Sequence, residues 1–143
     1  MRSKLLDGST GTYVLVFESG DSVMDLLTEF ARGRSISAGH FTAIGAFAEA
    51  ELGYFDFSIK DYKKTVVKEQ VEVLSMQGDI ALYGDEPKIH AHVVLGRSDT
   101  SAIGGHLLKA TARPTLEVIL EVSPSYLQRR IDKDTNLPLI VID

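Results

Sequence analysis

Three of the four histidines in this sequence lie close together, at His90, His92 and His106. His90 and His92 belong to the segment Lys88-Ile89-His90-Ala91-His92-Val93-Val94-Leu95, whose alternation is typical of a β-strand. Successive strand side chains point to opposite faces, so the two imidazoles should share one face, roughly 7 Å apart along the strand. The residues between and beside them would face a core. Two imidazoles at this spacing can reach one ion.

The third histidine follows two glycines in Gly104-Gly105-His106, at the start of the next predicted strand. If the two strands form a hairpin, His106 can lie opposite the His-x-His pair, and we expect the glycines to leave open space beside its ring. Three imidazoles with an open fourth position describe a zinc-type site, completed by water or a carboxylate. The chain has no cysteine, so a metal would use His, Asp, Glu or water. The alternative is a set of polar histidines on an exposed strand.

Other candidate motifs carry less chemistry. His40 follows Gly39 and is interpreted as a polar or packed residue at a strand start, not as a fourth ligand. No Ser-His-Asp or Cys-His grouping has the context of a nucleophile, so no catalytic residue is assigned. The glycine-containing segment 8–11 lacks a following Lys and is not a phosphate loop, so no organic cofactor site is assigned.

The elements that must position the histidines are mostly strands. Residues 12–18 are rich in β-branched and aromatic residues and predict a first strand. Val23, Leu26, Leu27, Phe30 and Ala31 then repeat at helical spacing, with a Ser22–Asp25 pair that resembles a capping box and Gly33 as a stop. Further strands are predicted at residues 40–45, 48–57, 62–68, 71–77, 88–95, 106–110 and 115–122.

Intervals this short leave no room for crossover helices, so neighbouring strands should pair mainly antiparallel. The expected fold class is α/β of the α+β kind: a largely antiparallel sheet with one principal flanking helix. We interpret residues 1–143 as a single domain with a core at about 12–122 and a tail at 123–143. The apolar end of the tail, residues 139–142, predicts an edge strand or an interface strand.

Composition limits the possible partners. The net charge of −5 argues against autonomous, non-specific binding to DNA, because such binding depends on neutralising phosphates. The short segment Arg32-Gly33-Arg34 is interpreted as a helix end and not as a minor-groove AT-hook. No stretch approaches the roughly 20 apolar residues of a membrane helix, and no signal peptide is evident. A cytoplasmic protein with no membrane partner is therefore expected.

Several segments, taken in order, resemble the plants-and-prokaryotes-conserved (PPC) domain family. The resemblance covers nearly the whole chain, and it rests on residues 41–46, 52–56, 71–80, 90–92 and 104–107. It implies an antiparallel-rich sheet with a flanking helix, assembled as a homotrimer. It also implies a histidine-lined site at the His-x-His and Gly-Gly-His positions. In plants the domain follows AT-hooks, which this chain lacks, so it resembles the stand-alone prokaryotic type.

Three functions remain open. The first is a homotrimeric protein that binds a metal, zinc by preference, or a small ligand, with His90, His92 and His106 as the metal ligands. The second is a DNA-binding regulatory protein, by analogy with the plant relatives. The third is a metal-dependent enzyme in which the three histidines hold an ion that activates water. Apolar residues on both faces of strands, such as Val93 and Val94, support self-association, because one helix cannot cover a whole sheet.

Overall fold

A computed structural model describes residues 1–142 of the chain, which form nine strands and one helix. Their bounds are β1 (Arg2–Asp7), β2 (Thr12–Glu18), α1 (Val23–Gly33), β3 (Ala38–Asp56), β4 (Asp61–Val67), β5 (Val71–Tyr83), β6 (Glu86–Gly96), β7 (Ala102–Val122), β8 (Gln128–Ile131) and β9 (Pro138–Val141). The fold is thus mostly antiparallel β-sheet with a single helix, which sharpens the predicted class toward sheet.

Two long strands organise the sheet. β7 pairs with β3 along most of its length, with β2 through its C-terminal half and with β6 through its N-terminal end. β3 pairs in turn with β4 and β5, and β5 pairs with β6. The pairings β3–β5–β6–β7–β3 therefore form a closed circuit, and all four of them are antiparallel. This circuit fixes β6 and β7, the two histidine-bearing strands, on both of their sides.

The long strands differ from the sequence-based expectation of shorter ones. Residues 40–45 and 48–57 were predicted as two strands and form one, β3, whose pairing shifts register at Ala43/Gly45 and Phe47/Glu49. Gly45 has φ 149°, and a Cβ there would lie 2.4 Å from the carbonyl oxygen of Thr115. Such irregularities bend a strand without ending it. Residues 106–110 and 115–122 likewise belong to one strand, β7, which continues through Pro114.

Helix α1 packs its apolar face on the sheet, as its spacing predicts. Val23, Leu27 and Ala31 are fully buried, and each fully buried Val or Leu contributes roughly 1.5–3 kcal/mol. The capping box is not formed, because the hydroxyl of Ser22 donates to the carboxylate of Asp25 at 2.6 Å and makes no cap bond to the backbone. The described residues include no helix long and apolar enough to cross a membrane.

The two ends of the chain add strands at the edges of the sheet. β1, which the sequence pattern did not reveal because all six residues are exposed, pairs with β2. At the other end, β9 pairs with β8 as an edge strand, one of the two alternatives predicted for the apolar tail. β8 itself runs parallel to the end of β5. This C-terminal hairpin, β8 and β9, thus lies beside β5, the strand that pairs with β6 at His90.

Candidate metal centre and adjoining pocket

The hairpin of β6 and β7 brings the three histidines together. His92 and His106 are directly opposed in the antiparallel register, and His90 precedes His92 by two residues on the same face. The ring centroids lie 5.0 Å apart for His90–His92, 5.1 Å for His90–His106 and 5.5 Å for His92–His106. One potential ligand atom from each ring lies within 4.8 Å of the other two.

This spacing is compatible with a shared ion. Zinc–nitrogen bonds of 2.0–2.1 Å at tetrahedral angles place two ligand atoms ~3.4 Å apart, so side-chain adjustments on the order of 1 Å would complete the site. Two rings more than about 8 Å apart could not bind one ion at such bond lengths, and all three pairs of rings are closer than that. Ligation itself stays a prediction.

A carboxylate fixes the orientation of His90. Nδ1 of His90 lies 3.2 Å from Oδ2 of Asp79, which is directly opposite on β5. With Nδ1 donating to Asp79, Nε2 keeps its lone pair free for a metal, which is the usual arrangement around histidine ligands. Asp79 also accepts a hydrogen bond from Arg129 of β8, whose other terminal nitrogen donates to the carbonyl oxygen of Pro138 at 2.9 Å. Burial alone would raise the pKa of Asp79, but the bonds from His90 and Arg129 outweigh it and lower that pKa.

The other two imidazoles are held in the neutral form that binds metals. Burial lowers the pKa of His106 to about 4, helped by the nearby charges of His90, His92, Lys88 and Arg129. Burial, with the charge of His90, also lowers the pKa of His92. Protons therefore compete with a metal at these two rings only below the ordinary histidine range. Metal binding by histidines with ordinary pKa values weakens below about pH 6. Because the pKa values of His92 and His106 are lowered, we expect these two ligands to bind the metal at lower pH as well.

Tyr62 forms a wall against His106. Its ring stacks on the imidazole with centroids 4.7 Å apart and an interplanar angle of 23°. Nδ1 of His106 is buried and has no hydrogen-bond partner among the described residues. A neutral His106 can keep its proton on either nitrogen, and among the described residues it has no partner like the Asp79 carboxylate beside His90.

The glycines before His106 serve a different purpose from the one expected. A Cβ on Gly104 would lie 2.7 Å from the carbonyl oxygen of Val93, and one on Gly105 would lie 2.9 Å from that of Gly53. Both positions are therefore closed by neighbouring backbone and do not leave open space beside the imidazole. Their function is to let β7 approach β6 and β3 closely, which brings His106 opposite His92.

The fourth histidine stands apart from the group. His40 is exposed on β3, with Nε2 3.7 Å from a carboxylate oxygen of Glu121. This placement agrees with its interpretation as a polar residue at a strand start. His40 thus provides a natural internal control for the three clustered histidines.

A pocket of about 700 Å³ adjoins the imidazoles. Aromatic side chains of β3, β4 and the turn between them form one wall (Tyr54, Phe55, Phe57, Tyr62), and the C-terminal hairpin contributes another through residues 137–139. Lys88, Arg129 and the three histidines supply its polar groups. A pocket of this size, mostly apolar with a few convergent polar groups, is typical of small-molecule sites.

Sequence reasoning missed Asp79, Arg129 and Tyr62. Asp79 could have been found by counting the hairpin register outward from the turn at residues 83–86, because Tyr83 pairs with Glu86 and Asp79 with His90. Arg129 has no such local signal, since it reaches Asp79 from fifty positions away in the chain. The position of Tyr62 beside Gly53 and His106 depends on the pairing of β4 with β3, which no local pattern in the sequence indicates.

Comparison with known proteins gives a consistent picture. The sequence model of the Plants and Prokaryotes Conserved (PCC) domain matches residues 7–124. A proposed DNA-binding protein from Ralstonia eutropha JMP134 is similar, with a TM-score of 0.88 and 31% identity over 96% of this chain and 95% of that one. A metal-containing protein from Archaeoglobus fulgidus has a TM-score of 0.85 and 31% identity over 97% and 99%.

A third structure, a plant- and prokaryote-conserved (PPC) protein from Pyrococcus horikoshii, has a TM-score of 0.85 and 26% identity over 92% of each chain. No curated protein matches this sequence. The family match ends at residue 124, so Arg129 and the rest of the C-terminal hairpin lie beyond it.

Proposed function

This chain belongs to the Plants and Prokaryotes Conserved (PCC) domain family, and we propose that it is a homotrimeric metal-binding protein. His90, His92 and His106 hold one divalent transition metal, zinc by preference. The observation that carries this proposal is the convergence of three potential ligand atoms within 4.8 Å of one another. The lowered pKa values of His92 and His106 support it, because a metal requires the deprotonated ring.

Two further observations support the metal. The carboxylate of Asp79 on Nδ1 of His90 supplies the outer contact that metal-binding histidines usually have. The protein from Archaeoglobus fulgidus, 31% identical over nearly the full length of both chains, is known as metal-containing. When bound to three imidazoles, such an ion offers a position for water or for an oxygen of a ligand, where it can polarise either one.

The direct test is metal analysis of protein purified without a histidine tag. We expect about one zinc per chain after equilibration with a mixture of divalent metals and removal of the excess. His92→Ala should lose this zinc, and His40→Ala, which removes the histidine outside the cluster, should retain it. Equal zinc content in the two variants would overturn the proposal.

The homotrimer rests on an exposed apolar surface. Four large apolar side chains on neighbouring strands of the sheet are between 40% and 62% exposed. They are Ile44 on β3, Leu74 on β5, Val94 on β6 and Ile119 on β7. Burial of such a surface against another copy removes it from water. Light scattering at micromolar concentration should give three times the mass of one chain, and Ile44→Lys should lower it. A monomer mass for the unmodified protein contradicts the trimer.

DNA binding is the second candidate, because two similar structures are those of proposed DNA-binding proteins. The net charge of −5 opposes it. We expect no binding to arbitrary duplex tighter than about 10⁻⁶ M at ~0.15 M salt, since non-specific binding lies at 10⁻⁴–10⁻⁶ M. A salt-dependent titration that yields submicromolar affinity would favour the DNA-binding function. Metal-dependent catalysis ranks third, because no residue identifies a substrate reaction.

A further inference from the structure

The pocket beside the three histidines differs in charge from the rest of the molecule. The chain carries 20 acidic and 15 basic residues, yet none of the described residues that line the pocket is an Asp or a Glu. Two of the lining residues, Lys88 and Arg129, are cationic. The concave surface around the imidazoles is therefore electropositive in an acidic protein, and a bound divalent ion would add to that charge.

Lys88 is available to a ligand. It lies two residues before His90 on β6, and within residues 1–142 it forms no ion pair. Arg129, in contrast, is buried and committed to Asp79 and Pro138. The free cation at this site is thus Lys88, and Arg129 holds the outer support of His90.

The remainder of the pocket is apolar, and aromatic rings line it in sequence. Phe57 contacts Phe55 with centroids 5.2 Å apart, Phe55 contacts Tyr62 at 5.5 Å, and Tyr62 stacks on His106. Phe57 is 74% exposed, which is unusual for a side chain of this size. Leu137, Pro138 and Leu139 of the C-terminal hairpin also line the pocket. The row of rings runs outward from a proposed metal ligand and offers a surface for an apolar body.

We propose that this pocket binds an organic carboxylate with an aromatic or branched apolar body. The carboxylate lies between the three histidines and Lys88, and the body lies between the row of rings and the C-terminal hairpin. This inference rests on the proposed function, because an oxygen of the carboxylate fills the position that three imidazoles leave open on the ion. The electropositive, acid-free lining selects the anionic head, and the rings with the hairpin select the apolar body.

The test uses 3-phenylpropanoate and its uncharged amide, 3-phenylpropanamide, as probes of nearly equal shape. Each is titrated into zinc-loaded full-length protein and followed by NMR or calorimetry. We expect 3-phenylpropanoate to bind with a Kd of about a millimolar or tighter, as suits a ligand of this size, and the amide to bind at least about tenfold more weakly. Acetate, which has the head without the body, should also bind at least about tenfold more weakly.

Two matched variants locate the head. Lys88→Met should weaken 3-phenylpropanoate by about fivefold and leave the amide unchanged, since an exposed cation contributes up to ~1 kcal/mol. Lys4→Met removes the same charge from edge strand β1, outside the pocket lining, and should change neither probe. Both variants should retain zinc, because neither residue is a proposed ligand.

The outcomes separate this inference from the metal proposal. If zinc binds as expected but 3-phenylpropanoate does not bind saturably, or binds no better than its amide, the carboxylate inference is wrong and the metal proposal stands. If acetate binds as tightly as 3-phenylpropanoate, the inference that the pocket binds an apolar body is wrong. If the protein takes no zinc but still prefers the acid in a manner that Lys88→Met abolishes, the metal proposal fails and the pocket's preference for apolar carboxylates holds through Lys88 alone.

Discussion

Four side chains form one row across four strands: Glu121 on β7, His40 on β3, Asp79 on β5 and His90 on β6 are paired in register. Each end of the row contains a histidine beside a carboxylate. At one end, His40 and Glu121 are 3.7 Å apart and more than half exposed. At the other end, His90 and Asp79 are 3.2 Å apart and partly covered by the C-terminal hairpin, with Arg129 bonded to the same carboxylate.

The two ends contain the same residue types, so they differ in how far each pair is covered and in which residues surround it. Antiparallel register supplies the same histidine–carboxylate pair twice. Exposed pairs contribute little, because water screens their attraction and both side chains lose freedom. At the His90 end, the pair is less exposed, Arg129 also bonds to the carboxylate, and two more imidazoles lie within reach. The His40 end has the same chemistry without this support.

The largest expected effect comes from comparing a histidine of the cluster around His90 with His40. His92→Ala should weaken zinc binding by more than about 100-fold, because a lost ligand costs more than the loss of an outer contact, itself worth 10–100-fold. His40→Ala should leave the affinity unchanged. Competition titration with a chelator measures both. Comparable losses in the two variants would remove the distinction between the ends.

Removing a buried arginine should lower the stability of the protein more than removing an exposed one. Arg129→Met leaves Asp79 without its cation at a position where the arginine side chain is 5% exposed, and should lower the free energy of unfolding of the metal-free protein by about 3 kcal/mol. Arg32→Met breaks the exposed pair with Glu86, where the arginine is 58% exposed, and should cost less than about 1 kcal/mol. Denaturation in urea checks both values. An equal cost would mean that the hairpin does not cover Asp79 as described.

The two carboxylates of the row should differ in their effect on the metal. Asp79→Asn keeps the shape but loses the charge that orients and polarises His90, and should weaken zinc binding about 10–100-fold. Glu121→Gln makes the same change beside His40 and should have no effect. Calorimetric titration with zinc distinguishes them. Full zinc affinity in Asp79→Asn would show that the contact to His90 has no part in metal binding.

A further expected effect concerns pH. The pKa of His106 is lowered to about 4 in the folded chain, against about 6.5 when unfolded. The unfolded chain therefore takes up the proton first, so His106 leaves stability intact above pH 6.5 and reduces it as the pH falls from 6.5 to 4. Metal-free His106→Gln should lose less stability over this window than the unmodified chain. Equal slopes in the variant and the unmodified chain would contradict the burial of His106.

Part of this arrangement is visible in the sequence. Alternation predicted that His90 and His92 share a face while Ala91 and Val93 are buried, and both buried positions are confirmed. The hairpin on which the placement of His106 opposite His92 was made conditional is formed by β6 and β7. These features depend on local period and short connections, which a sequence pattern can express.

The rest depends on contacts distant in sequence. Arg129 reaches Asp79 across fifty positions, and no local pattern marks either residue. Residues 40–45 and 48–57 were predicted as separate strands, because the close approach of β7 at Gly45, where β3 bends and continues, leaves no local signal. The pocket arises between the aromatic residues of β3 and β4 and the C-terminal hairpin, whose relation becomes visible only in the folded chain.

The central claim is that the three clustered histidines hold one metal ion. Diffraction from zinc-equilibrated crystals, recorded on both sides of the zinc absorption edge, tests it most directly. We expect one anomalous peak per chain, roughly 2.0–2.1 Å from one nitrogen each of His90, His92 and His106, and none at His40. Protein that contains stoichiometric zinc but places its peak elsewhere, or at only one of the three rings, would contradict it.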